Sequence, residues 1–243
     1  MKENRSVHEA FTEMAPRYEE VVDGELQTFW GWSYHNFLNQ LLLHTPIQDG
    51  WRILDVATGT SVIPRKIINT DHKNIRIVGL DINETMLRAG RAEIHPRHLN
   101  QEICLTCGDA MLLPYADNSF NLLVSGLASH HMDIPIMLQE MRRVLKPGGQ
   151  LSIIDVGTSP FWELPIIRGL ARIFAFTYFL VKENLTRAWA EADSAVNLRT
   201  PEGWDRDLIS AGFEQVEINK LSSKYRWAPE PLSIRSIKSW EEK

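Results

Sequence analysis

The regular alternation of short apolar runs with segments of helical spacing constrains this chain more than any other feature. Apolar runs occupy residues 52–56, 75–81, 103–107, 121–125 and 150–156, and each ends at an acidic or glycine-containing turn. Between them, residues 63–68, 84–93 and 134–145 have the spacing of helices. Asn83 is a natural N-cap for the second, because its side chain can accept a free backbone N–H. The turn Lys146-Pro147-Gly148-Gly149 stops the third. Strands that alternate with helices build a parallel sheet covered on both faces, so the expected fold class is α/β. The rhythm changes over residues 160–200, which are aromatic and mostly helical. It resumes with a helix at 202–211 and strands at 213–218 and 233–240. The expected organisation is one domain over 1–243, with an N-terminal helical cap over about 1–48 and a helical insertion over about 159–200 above the site.

Composition narrows the function classes. A chain of 243 residues that is 44% hydrophobic buries one substantial core. Its formal charge of −5, with both signs interspersed, offers no long basic stripe for a nucleic-acid backbone. Nucleic acid is therefore not an expected partner. The N-terminus MKENRSVHEAFTEM lacks the basic-then-apolar pattern of a secretory signal, so the expectation is a cytoplasmic protein. The most apolar stretch, residues 166–181, contains Arg168 and Arg172 and falls short of the roughly 20 apolar residues a span needs. It reads as a buried or substrate-facing helix rather than an integral membrane span. Cys104 and Cys107 have C-x-x-C spacing, but they sit in a strand pattern with no second pair to complete a metal site. Two packed, reduced thiols and no metal are expected.

In open α/β sheets, ligands gather outside the carboxyl ends of the strands. Asp55, Gly59, Asp81 and Asp109 all fall there. The small-residue turn Ala57-Thr58-Gly59-Thr60-Ser61 lets a ligand approach the backbone, and the helix start that follows presents unpaired N–H groups. A nicotinamide fingerprint would need glycine at Ala57, Gly59 and Val62, and only Gly59 meets it, which weakens a dehydrogenase reading. An ionised Asp81 offers two acceptor oxygens to the hydroxyls of a ribose, and Asp109 could accept from an adenine amino group with Ala110 and Met111 near the ring. Taken singly, each is equally a cap or a solvated turn.

The segments ILDVATGTS, VGLDINETMLRAGR, GDAMLLPYADNSFNLLVS and MRRVLKPGGQLSIIDV resemble the successive motifs of class I S-adenosylmethionine-dependent methyltransferases, especially the ubiquinone/menaquinone-biosynthesis family. The resemblance covers about residues 10–157. It implies a three-layer Rossmann-like sandwich with a mostly parallel seven-stranded sheet, a helical lid, and S-adenosyl-L-methionine as cofactor. The site it implies comprises Asp55, Ala57, Thr58 and Gly59 around the methionine end, Asp81 on ribose, and Asp109 near adenine. Ile82, Met86, Gly108, Ala110 and Ser125 line the remainder. The segment Ala10-Phe11-Thr12-Glu13-Met14-Ala15-Pro16-Arg17-Tyr18 is similar to the family's pre-sheet helix, whose tyrosine closes over the cofactor, which makes Tyr18 a candidate lid; the other reading is a packing tyrosine. An aromatic face there would attract the sulfonium by roughly 0.5–2 kcal/mol. The chain departs from the family at Ser61, where glycine is usual; a serine is tolerated there if its backbone angles are ordinary, and the close packing at the turn is where the match is least secure.

Methyl transfer needs an acceptor held in line with the methyl group. For a phenol, enol or ring carbon a base near neutral pKa helps, and His130 and His131 follow the fourth strand, where an acceptor would lie. Both equally read as pocket lining or helix caps, and the sequence does not choose between them. Trp30, Tyr34, His35, Trp162 and Phe176 are candidates to wall the acceptor pocket. The expected partner is a small, largely apolar or aromatic molecule such as a quinol, phenol or polyketide, methylated on carbon or oxygen. A homodimer is left open. The other class of function is a protein that binds S-adenosylmethionine without methylating, as a sensor, a scaffold or a catalyst of cyclisation.

Overall fold

The computed structural model describes residues 5–97, 99, 102–195, 197–225 and 230–240. Its helices are α1 (Arg5–Met14), α2 (Tyr18–Trp30), α3 (Tyr34–Leu43), α4 (Val62–Ile68), α5 (Glu84–Ile94), α6 (Ile134–Val144), α7 (Pro165–Lys182), α8 (Leu185–Ser194) and α9 (Pro201–Ser210). The strands are β1 (Arg52–Val56), β2 (Arg76–Asp81), β3 (Ile103–Cys107), β4 (Phe120–Gly126), β5 (Leu145–Val156), β6 (Phe213–Lys220) and β7 (Pro231–Lys238).

All seven strands join one sheet in the order β3-β2-β1-β4-β5-β7-β6. Pairing is parallel from β3 through β5, while β7 runs antiparallel to both β5 and β6. The order reverses beside β1 and β4, which is where an α/β sheet opens a crevice for a ligand.

Strand alternation supplies both faces of the sheet. Ile53, Leu122 and Ile154 pack against Leu38 and Leu41 of α3 and Ile63 and Ile67 of α4. Their neighbours Leu54, Leu123 and Ile153 face Met137 and Leu138 of α6 and Trp204 of α9. Three layers follow. Asn83 caps α5 as its position suggests, accepting from Thr85 N at 2.9 Å and Met86 N at 3.2 Å.

Two local expectations are corrected. Residues 146–149 do not precede β5 but lie within it, since Phe120 pairs with Leu145 and Leu122 with Gln150. The extra residues bulge out, with Gly148 at φ +72°. Cys104 and Cys107 are free but exposed rather than packed, because β3 is the edge of the sheet. Helix α7 buries only Phe179; one side faces a cavity and the other faces outward. No helix among the described residues is long and apolar enough to cross a membrane.

Candidate active site

The turn after β1 carries alternating left-handed residues: Ala57 at φ +58°, Gly59 at +54° and Ser61 at +64°. The condition of ordinary backbone angles at Ser61 is therefore not met. An L-residue in this region crowds its Cβ against the next carbonyl, so the serine sits in a glycine's conformation. Its hydroxyl is fully buried and has no partner among the described residues. Gly90 in α5 makes room for it, because a Cβ at Gly90 would lie 2.5 Å from Ser61 Oγ.

The same turn is tied to Asp55 and Asp81. Thr58 Oγ1 donates to Asp55 Oδ2 at 2.6 Å, and Thr58 N donates to Leu80 O at 2.9 Å. Asp55 Oδ1 is buried without a partner among the described residues. Burial pushes the Asp55 carboxyl up to about 8, against the Thr58 hydrogen bond. Asp81 Oδ2 accepts from Gly59 N at 2.8 Å, and Oδ1 accepts from Asn83 N at 2.8 Å. Burial raises its pKa, and these two N–H groups work against the rise.

Gly59 has Met86 Cε and Tyr18 Cε1 at 3.2 and 3.9 Å from the place a Cβ would take. Tyr18 thus lies over the turn. Tyr34 does not wall a pocket; it is buried beneath Tyr18, edge-on with ring centroids 6.1 Å apart. The other positions spread around this centre. Ile82 is exposed at the end of β2. Gly108 lies close to Leu80, whose Cδ1 a Cβ there would approach to 3.0 Å. Asp109 Oδ1 accepts from Met111 N at 2.8 Å, and Ala110 is buried. Ser125 is fully buried and spends its proton on Val56 O at 2.8 Å, pinning β4 to β1.

Beyond Tyr18 lies a cavity of about 740 Å³. Trp30, Trp162, Phe174 and Tyr178 give it aromatic walls, and His130, His131 and Arg187 give it a polar corner. His35 and Phe176 lie elsewhere: His35 is exposed on α3, and Phe176 packs on Trp189 with ring centroids 4.8 Å apart.

The two histidines differ. His130 Nδ1 is 2.7 Å from Asp155 Oδ1. Asp155 Oδ2 also accepts from Ser129 Oγ and from His130 N, and Oδ1 accepts from Val156 N. Burial disfavours charge on both partners, yet their mutual attraction and hydrogen bonding win, raising the His130 pKa and lowering that of Asp155. With Nδ1–H held by the carboxylate, Nε2 is the nitrogen left for a ligand. His131 has no such anchor. Burial and the neighbouring His130 hold it neutral, well below the usual histidine range. Its ring lies 4.2 Å from His130 and edge-on to Phe11.

Two participants escape sequence reasoning. Asp155 is the last residue but one of β5, where the end-of-strand rule could have found it. Arg187 has no local signal: it is buried on α8, flanked by the Phe11 and Phe179 rings, with Nη2 3.1 Å from Glu25 and from Glu191. Burial pushes the Glu25 carboxyl up to about 7, with Arg187 opposing.

An unpartnered buried carboxylate oxygen on Asp55 beside a left-handed turn fits a ligand bearing an ammonium group and a backbone-hugging body. S-adenosylmethionine is such a molecule. The profile of the ubiE/COQ5 methyltransferase family matches residues 1–190. The chain is 32% identical over 228 residues to the demethylmenaquinone methyltransferase of Lactobacillus johnsonii, covering 90% of this chain and 88% of that one. It is 29% identical over 225 residues to the ubiquinone/menaquinone biosynthesis C-methyltransferase UbiE of Paracoccus denitrificans, covering 89% and 86%. The fold is shared with a phosphoethanolamine N-methyltransferase of Haemonchus contortus in complex with S-adenosylmethionine, at TM-score 0.66 and 15% identity over 94% of this chain and 60% of that one. It is also shared with the cyclase SpnF, at TM-score 0.68 and 18% identity over 85% and 82%. The chain belongs to the ubiE/COQ5 methyltransferase family and is an S-adenosylmethionine-dependent methyltransferase.

Proposed function

We propose that the protein methylates a ring carbon of a small hydroxylated aromatic acceptor of the quinol type, with His130 as general base and Asp155 as its anchor. The observation that carries this reading is the His130–Asp155 pair at a polar corner of a cavity whose walls include Trp30, Trp162, Phe174 and Tyr178. The two relatives support the acceptor class through what their names say they act on.

S-adenosylmethionine supplies an electrophilic methyl group when bound. Asp55 would hold its ammonium group, Asp81 its ribose through the lone pairs not used by Gly59 and Asn83, and Asp109 and Ile82 its adenine. Ala57, Thr58 and Gly59 would follow its backbone-facing side, with Met86, Gly108, Ala110 and Ser125 shaping the walls. Tyr18 would close over the sulfonium. Helices α1–α3 and the α7–α8 insertion would then serve as cap and lid of a single domain.

His130 Nε2 takes a proton from a ring hydroxyl, leaving an oxyanion that pushes electron density onto the adjacent ring carbon. Once that carbon bears the methyl group its own hydrogen leaves as a proton, finally to solvent, the ring oxygen is reprotonated by the His130 imidazolium, and the ring regains its aromaticity. Asp155 keeps the imidazole in the tautomer that can accept the hydroxyl proton and stabilises the imidazolium that forms. The aromatic walls exclude water and orient the ring.

The test uses cofactor labelled in the methyl group with 1,4-naphthohydroquinone and its dimethyl ether. Label on a ring carbon of the hydroquinone alone is the expected product. Tight cofactor binding with no transfer to either compound, or to phenol and polyketide acceptors, would instead support a cofactor-binding protein that does not methylate.

A further inference from the structure

Arg187 lines the polar corner of the cavity with His130 and His131 and takes no part in the proton transfer. Its place at the start of α8 is fixed by a cap. Asn184 Oδ1 accepts from Arg187 N at 2.8 Å, and Asn184 Nδ2 donates to Glu13 Oε2 on α1 at 2.8 Å. The buried guanidinium lies over the Phe11 and Phe179 rings, 5.6 and 5.2 Å from their centroids. Phe11 also packs against the rings of His131 and Tyr18. Arg187 therefore belongs to the corner that holds the base and the cofactor lid. Beyond the effect of burial, its charge is close enough to disfavour a proton on either histidine.

The donors of this guanidinium are unevenly spent. Nη2 reaches Glu25 Oε2 and Glu191 Oε1, each at 3.1 Å. Nε and Nη1 are buried and have no partner among the described residues. Unpaired buried donors are costly, so donors fixed between two rings and two carboxylates fit an oxygen that arrives with a ligand. Charge limits which oxygen. Glu191 alone balances the guanidinium even where Glu25, pushed up to about 7 by burial, holds its proton. A ligand carboxylate would add uncompensated charge to a buried place, whereas a hydroxyl accepts the hydrogen bond and adds none. His131 Nδ1, beside the same Phe11 ring, is likewise buried without a partner among the described residues. The other arginines that line the cavity are spent or exposed: Arg199 is tied to Asp207 at 3.1 Å, and Arg168 and Arg206 lie in the exposed class.

We propose that Arg187 is a specificity-determining residue, donating an N–H that Glu25 and Glu191 do not use to a second hydroxyl oxygen on the acceptor ring while His130 takes the first. This assignment rests on the quinol reading of the cavity. It makes a ring with two hydroxyls a better acceptor than a ring with one, because two anchored oxygens hold the ring in a single orientation.

The test is anaerobic calorimetry of the full chain saturated with S-adenosylhomocysteine, comparing 1,4-naphthohydroquinone with 1-naphthol, which lacks one hydroxyl. Wild type should bind the hydroquinone at least about tenfold more tightly, the scale of a hydrogen bond to a charged group. In Arg187→Lys the ammonium stays with the two glutamates but has no fork to reach the ring, and in Arg187→Gln the donor is uncharged. In both, the preference should fall to about twofold or less. A wild-type preference below about tenfold, a result that depends on no variant folding, overturns the proposal. So does a preference that survives in either variant whose circular dichroism matches wild type. No methyl is transferred in this measurement. Failure to label any acceptor would sink the methylation reading and leave the preference standing, while loss of the preference would leave labelling intact.

Discussion

Replacing Ser61 with glycine should stabilise the cofactor-free protein. Ser61 is held at φ +64°, which costs an L-residue roughly 1–2 kcal/mol relative to glycine. Its buried hydroxyl has no partner among the described residues, and leaving such a group unsatisfied costs about 1–3 kcal/mol. Against these gains stand a glycine's greater freedom in the unfolded chain, about 0.4–1 kcal/mol, and a methyl-sized void facing Gly90, about 1 kcal/mol. The balance is a net gain of about 2 kcal/mol, equivalent to a rise in Tm of about 4–8 °C for a protein of this size. Guanidinium unfolding monitored by tryptophan fluorescence would show a higher midpoint with an unchanged slope. Ser61→Ala separates the two contributions, since it removes the hydroxyl but keeps the backbone strain, and should gain less than Ser61→Gly. A Ser61→Gly protein destabilised by 1 kcal/mol or more, or an alanine variant as stable as the glycine one, would refute the strain argument.

Gly90→Ala should destabilise wild type despite adding a better helix former, and should cost less in the Ser61→Gly background, where the 2.5 Å clash with Oγ is gone; a double-mutant cycle by the same unfolding assay reads the coupling. His130→Asn and Asp155→Asn should each lower kcat by about 10²–10⁴, the usual worth of a positioned base, while calorimetric affinity for S-adenosylhomocysteine stays within twofold. Asp81→Ala should weaken cofactor binding by about 1.5–3 kcal/mol, and unchanged calorimetric affinity would remove Asp81 from the site. Asp55 holds its proton up to about pH 8 in the free protein, whereas an ammonium group selects the carboxylate. Binding therefore releases a proton, and affinity should fall as pH drops from 8 to 6, by at most about tenfold per unit; a flat profile in calorimetry would sink the Asp55 assignment.

The frame of the molecule was legible because period and punctuation agree. Residues 103–107 match β3, and the ends of β1 and β2 put Asp55 and Asp81 where the alternation says they should be. Ser61 was marked by the glycine usual at its place, but how the turn admits a serine was not legible, because the room for it comes from Gly90, a residue with no special mark in the sequence. The bulge at residues 146–149 hides for a related reason: a proline-glycine turn reads alike whether it precedes a strand or interrupts one. His130 could not be separated from His131 without Asp155, which lies 25 residues further on. Arg187 and Glu25 meet across 162 residues and belong to helices whose spacing alone suggests ordinary packing. Apolar spacing in α7 shows that a face exists but not whether protein or solvent lies beyond it.

One side-chain amide joins two helices. The oxygen of Asn83 starts α5, while its nitrogen donates to His8 O at 3.0 Å and Thr12 Oγ1 at 2.8 Å on α1. Its backbone N–H rests on Asp81, whose other oxygen holds Gly59. A ligand that steadies Asp81 therefore also steadies α1, and by reciprocity an ordered α1 retains that ligand by the same free energy. The affinity for spent cofactor is thus written partly into the N-terminal helix, and amide hydrogen exchange along α1 should slow when S-adenosylhomocysteine is added.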